Sequence, residues 1–403
     1  MVQPAARIQN VRYAIRNVVA EALKLERAGR EILYCNVGDP LKFDFATPPH
    51  LVEAVHKAMR DGHNGYSPSP GLWEAREAVA RDASARGLPG VTAEDVLITS
   101  GASEAIELTL TAMLDPGDAL LLPSPGYPLY NAVAAKLQVD VIPYHLDEAH
   151  GWSVDADEVD RLATPRTRAV VICNPNNPTG GLTDRAGLLR LLEVARRRGL
   201  AVLSDEIYDR LLYGAPHTPT ATLAEDVPIV TFNGLSKAYL ACGWRVGWAI
   251  FSCPRLTSGL RTAALRLADA RLCGPAPAQY AIRPALEGPQ DHIPEMMSRL
   301  AERRAVTVRR LNAIPGLSCV EPGGAFYAMP RIQLPGVTDD ERFVLELLHE
   351  TGVLFVHGSG FGQRPGTQHF RVVFLPPPAV LERAFDRLEQ FVRARAGGAA
   401  TRQ

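Results

Sequence analysis

Lysine is scarce and arginine takes its place. The chain of 403 residues has five (Lys24, Lys42, Lys57, Lys136 and Lys237), so 38 of its 43 basic residues are arginine. From Leu137 to the C-terminus Lys237 stands alone. Arginine stays protonated under physiological conditions, whereas a desolvated lysine can lose its proton and attack a carbonyl. A lone lysine is more often a surface residue, but the neighbours of this one argue otherwise. The run Thr231-Phe232-Asn233-Gly234-Leu235-Ser236-Lys237 passes from a strand-like apolar stretch into small residues. It places the amine just past a strand end, where open α/β sheets bind ligands.

Other absences narrow the function. No apolar run approaches the roughly 20 residues of a membrane helix, and Met1 to Gln9 carry no apolar signal segment. A soluble, cytoplasmic protein is expected. Charge of one sign is also missing: the net charge is −1, which argues against nucleic acid or an anionic membrane surface as partner and for small molecules. The six cysteines form no C-x-x-C pair and have no histidines at zinc-ligand spacing. They read as reduced thiols, mostly in cores, with no metal and no disulfide framework expected. There is no internal repeat.

What is present is alternation. Strand-like runs at Asp95 to Thr99, Ala119 to Leu122, Val139 to Pro143, Ala169 to Cys173, Leu200 to Leu203, Ile229 to Phe232 and Trp248 to Phe251 are separated by helical patterns such as Ala102 to Leu114 and Arg185 to Arg198. Alternation of this kind predicts an α/β fold with a mainly parallel sheet. Beyond a long helix expected from Pro294 to Ile314, Pro-Gly turns punctuate shorter strands, with helices at Asp339 to Glu350 and Pro378 to Arg395, which reads as a smaller α+β domain.

Polar residues collect at the strand ends. Asn174-Pro175-Asn176-Asn177-Pro178-Thr179-Gly180 follows one apolar strand as a rigid, amide-rich turn. Asp205, at the end of another, needs a cation if buried. It reads either as a helix N-cap or as the partner of a protonated ring nitrogen, with Tyr208 one turn on able to donate to the same ring. Ser100-Gly101-Ala102-Ser103 opens a helix whose free N–H groups suit a phosphate, as any such cap does. Arg245, eight residues after Lys237, is either a surface charge or a bidentate phosphate clamp.

In order and spacing, N-P-N-N-P-T-G, S-D-E-I-Y and L-S-K with W-R-V-G resemble the class I/II aminotransferases, pyridoxal-phosphate enzymes of the aspartate aminotransferase fold, fold type I. The resemblance runs from about Arg7 to Arg395. It implies a large cofactor-binding domain at 46–289 and a small domain made of 1–45 and 290–403. It implies that Lys237 carries the Schiff base, that Asp205 pairs with the pyridinium nitrogen, and that Asn177 and Tyr208 hold the phenolic oxygen under a stacked Tyr127. The phosphate falls to Gly101, Ala102, Ser103, Ser236 and Arg245, with Tyr66 reaching the neighbouring subunit's phosphate in a homodimer. Arg371 grips the substrate carboxylate, beside Gly38 and Asn177.

Gly234 departs from the pattern, since many relatives have a hydroxyl residue there. The segments Phe232 to Tyr239, Arg271-Leu272-Cys273 and Tyr13 to Arg16 look most like the bacterial alanine (glutamate–pyruvate) aminotransferases. Arg16 and Arg271 are candidates for a distal carboxylate, or ordinary structural arginines. Other expectations from the same scaffold are an aminotransferase for aromatic, aspartate or pathway-specific amino acids, and a β-lyase.

Overall fold

The computed structural model describes residues 2–11, 14–88, 90–214 and 216–400, without the side chains of residues 10, 14–17 and 396–400. Its centre is a sheet of seven strands: β1 Val96–Thr99, β2 Ala119–Ser124, β3 Asp140–His145, β4 Thr167–Cys173, β5 Ala201–Asp205, β6 Ile229–Gly234 and β7 Gly247–Ser252, in the order β1-β7-β6-β5-β4-β2-β3. Every neighbouring pair is parallel except those made by β7, which runs antiparallel to both β6 and β1.

The apolar runs form strands because both faces are covered. Along β1 and β4, Ile98, Val170 and Ile172 point to one buried cluster, while Leu97, Ala169 and Val171 point to the other. This is the two-residue alternation of a pleated strand with a core on each side. At the edge, β3 is only partly covered and correspondingly mixed in sequence.

Helices α1 Ala102–Met113, α2 Pro128–Leu137, α3 Ala156–Leu162 and α4 Arg185–Arg198 connect successive strands. The limits of α4 are written in its ends. Asp184 accepts from the Gly187 N–H at 2.8 Å, Arg196, Arg197 and Arg198 lie in the last turn, and Gly199 closes the helix at φ +67°.

Shorter strands lie outside the sheet. Leu33–Tyr34 pairs in parallel with Val353–Leu354, and Tyr327–Ala328, Phe370–Val373 and Val356–His357 form a three-stranded sheet. Around them pack α5 His292–Ala313, α6 Asp340–Thr351 and α7 Pro378–Ala400. Among the described residues no helix is long and apolar enough to cross a membrane, and all six cysteines are free thiols.

Candidate active site

The carboxyl ends of β4, β5 and β6 and the start of α1 surround a cavity of about 300 Å³. Lys237, three residues past β6, directs its Nζ to the Gly38 carbonyl at 2.7 Å. Asp205, the last residue of β5, is 3% exposed. It accepts from the Tyr130 hydroxyl at 3.2 Å and the Ile207 N–H at 3.3 Å. Burial pushes its carboxyl up to about 6, against the pull of those donors and of the Lys237 charge. No cationic side chain among the described residues comes within 4 Å of it, so the helix N-cap alternative leaves its charge uncompensated. The position suits a cationic nitrogen brought by a ligand.

The start of α1 has anion-binding features. Gly101 takes φ +79° with no side-chain cap, leaving the first N–H groups of α1 open towards the cavity, which Ala102 and Ser103 line. A Cβ at Gly101 would overlap the Arg245 guanidinium, so glycine is what allows that cation to lie across the helix start. Arg245 itself adopts φ +54° and donates to the carbonyls of Cys242 (2.9 Å) and Ser100 (3.4 Å). Among the described residues it has no carboxylate within 4 Å. Ser236 lines the same end. Such a donor set fits a phosphate.

The asparagine loop divides its labour. Asn174 bonds both ways with the Thr183 backbone (3.1 and 2.9 Å), and Asn176 donates to Pro125 and Thr179. Asn177 turns inward, where its Oδ1 accepts from Arg371 Nη1 at 3.0 Å. Arg371, 2% exposed, also donates to the Asn36 carbonyl at 2.6 Å. Its guanidinium lies 4.6 Å from the Phe361 ring centre and 5.0 Å from that of Tyr327. Tyr127 and Tyr208 complete the wall beside Gly38.

One expected residue, Arg271, is elsewhere, and two others do not bear on this cavity. Arg271 does not line the cavity: its Nε is 3.1 Å from Glu104 and its Nη2 bonds the Ile98 carbonyl. Tyr66 is 84% exposed and lies outside the cavity of its own chain. The side chain of Arg16 is outside the described residues. Conversely, Asn36 and Tyr327 line the cavity without having been singled out in the sequence. A Gly323-Gly324 turn ahead of two aromatics was the available signal for Tyr327; for Asn36 there was none.

Departure at Gly234 has a packing cause. In the β6–β7 register it faces Gly247, and a Cβ on it would stand 2.6 Å from the Val246 carbonyl oxygen and 2.8 Å from the Gly247 Cα. The backbone leaves no room for a side chain there.

The family model described as aminotransferase class I and II matches residues 31–388. The glutamate-pyruvate aminotransferase AlaA of Escherichia coli K12 is 39% identical over 97% of this chain and 98% of its own. Among solved structures, an alanine aminotransferase from Pyrococcus furiosus superposes with a TM-score of 0.95 at 44% identity, covering 98% of this chain and 100% of that one. A single-mutant aspartate aminotransferase of Thermus thermophilus gives 0.89 at 31%, covering 97% and 100%.

Proposed function

The chain belongs to the class I and II aminotransferases and is a transaminase, and we propose that it exchanges an amino group between L-alanine or L-glutamate and the 2-oxo acids pyruvate and 2-oxoglutarate. We propose further that pyridoxal 5′-phosphate, the cofactor that membership implies, is held in this cavity. The single observation that carries the reading is the pairing, on one cavity, of a solitary lysine amine with a buried carboxyl that has no cationic side chain within 4 Å among the described residues.

When bound, the cofactor supplies a carbonyl for the amine and an electron-accepting ring. Asp205 would hold the ring nitrogen cationic, Asn177 and Tyr208 would hold the phenolic oxygen, and Tyr127 would cover the ring. The amides of Gly101, Ala102 and Ser103, with Ser236 and Arg245, take the phosphate. Arg371 grips the substrate carboxylate beside Gly38 and Asn177. Lys237, whose Nζ reaches the cavity, would take the proton from the substrate Cα, a transfer made effectively unimolecular by tethering. Release of one 2-oxo acid before the second binds makes the kinetics ping-pong.

Similarity to a glutamate-pyruvate and an alanine aminotransferase supports alanine and glutamate as donors. Arg271, committed to Glu104, is not proposed for the distal carboxylate. A division into a large domain at 46–289 and a small one at 1–45 and 290–403, and a homodimer in which Tyr66 reaches the partner's phosphate, belong to the same proposal. Borohydride reduction followed by peptide mapping should label Lys237; label elsewhere, or none, refutes the cofactor site. A half-reaction screen of the twenty amino acids should show alanine and glutamate bleaching the visible band fastest. Faster aromatic or aspartate donors would reassign the substrate, and pyruvate formed without an acceptor would make the protein a lyase.

A further inference from the structure

Two tyrosine hydroxyls meet in the wall of the cavity. Tyr208, 3% exposed, comes from the segment after β5, and Tyr327, 2% exposed, from the three-stranded sheet 119 residues on. Their oxygens are 2.8 Å apart, and the rings meet edge to face at 5.6 Å between centroids. Each hydroxyl has one proton, and one hydrogen bond joins them, so one of the two protons faces elsewhere.

For Tyr327 no other acceptor is in range among the described residues. Its oxygen sits where a Cβ on residue 38 would be, so the Gly38 backbone closes off that side. A Tyr327 proton turned away from Tyr208 would be buried without a partner, which folded proteins avoid. Both rings line the cavity, but the Gly38 backbone crowds the Tyr327 hydroxyl, which leaves Tyr208 the one of the pair whose proton can turn towards the cavity.

We propose that Tyr327 is a positioning residue: it donates its proton to the Tyr208 hydroxyl and thereby commits the Tyr208 proton to whatever oxygen lies in the cavity. The inference rests on the cofactor reading above, in which that oxygen is the phenolic oxygen of pyridoxal phosphate. A donor held on that oxygen draws negative charge away from the neighbouring Lys237 nitrogen, which then holds its own proton less firmly. Losing the orientation lets Tyr208 rotate and weakens the donation.

The test is the pH midpoint of the visible absorption band of the holoprotein, read without substrate. Tyr327→Phe keeps the ring and its packing and should raise the midpoint by about half a unit to one unit, the scale of one hydrogen bond. Tyr208→Phe should raise it more. The double variant Tyr208→Phe/Tyr327→Phe should match Tyr208→Phe alone, because Tyr327 acts only through its neighbour. An unchanged or lowered midpoint in Tyr327→Phe, or additive shifts in the double variant, overturns the assignment. A wild-type protein without a borohydride-sensitive band refutes the cofactor reading, and this inference with it.

Discussion

Asp205 is costly while it has no cation. Its carboxyl is raised from 3.8 to about 6 in the folded chain. Protonated, it is harmless; its favourable contribution is complete below about pH 4 and is lost as pH rises through 6. At pH 8 the ionised form weighs against the cofactor-free fold by about 3 kcal/mol, at roughly 1.4 kcal/mol per unit. Cofactor-free Asp205→Asn should therefore melt higher than wild type at pH 8 and near it at pH 4, while transamination falls by several powers of ten. Equal melting at pH 8 would sink the first half, a near-wild-type rate the second. Gly234→Ser is the converse case. A hydroxyl is added, yet overlap with Val246 and Gly247 should cost about 1–3 kcal/mol in urea unfolding and weaken phosphate binding. Tighter binding would show that the strand end can yield. Lys237 and Asp205 were readable in the sequence because each is announced locally, by an apolar run that stops at a polar residue. Tyr327 was not, since its partner Tyr208 is far along the chain. Nor was the capture of Arg271 by Glu104, a pairing no local pattern encodes.

At the scale of elements, the sheet strands other than the edge strand β3 were legible because burial on both faces demands unbroken apolar runs, and α4 because both its caps are in the sequence. Expected strand ends fell short at β2 and β6, whose last residues (Ser124; Asn233 and Gly234) are polar or small although the ladder continues through them. One contact between elements makes a sharp prediction. Arg303 on α5 has a side chain 2% exposed and grips Asp44 with both carboxylate oxygens, at 2.6 and 2.5 Å, over the Phe45 ring at 4.8 Å. Asp44 is 43% exposed, so water can serve it if left alone; the guanidinium has no such recourse. Asp44→Ala should cost about 3 kcal/mol, and Arg303→Met only about 1 kcal/mol, because methionine keeps the packing and strands no buried charge. The reverse order in denaturant midpoints would refute this.

For the molecule as a whole, several of the large apolar side chains left in water lie on or beside segments that pack together. Val52, Met59, Tyr66 and Trp73 are 47%, 49%, 84% and 49% exposed, and Leu272 is 56% exposed. The segments are neighbours: helix Pro49–Arg60 packs on Ala276–Gln279, and His63 stacks on Tyr280 at 4.6 Å. Apolar side chains exposed on adjoining segments support the proposed interface. The proposed homodimer should sediment as a dimer, and Val52→Glu/Met59→Glu should shift it to monomer with loss of activity if Tyr66 serves the partner's site. A monomeric wild type with full activity would remove both claims.

The pairing of Leu33–Tyr34 with Val353–Leu354 sets an order of assembly. On the ribosome the first strand has to wait for a partner made some 320 residues later, on the order of tens of seconds at ordinary elongation rates. The large sheet, complete by Ser252, needs no such delay. A nascent chain released early would thus carry Lys237 and Asp205 yet lack Arg371, Tyr327 and the strand that pairs with Leu33–Tyr34 ahead of Gly38. Truncated products of this protein would contain the residues proposed to hold the coenzyme but not the arginine proposed to recognise the substrate.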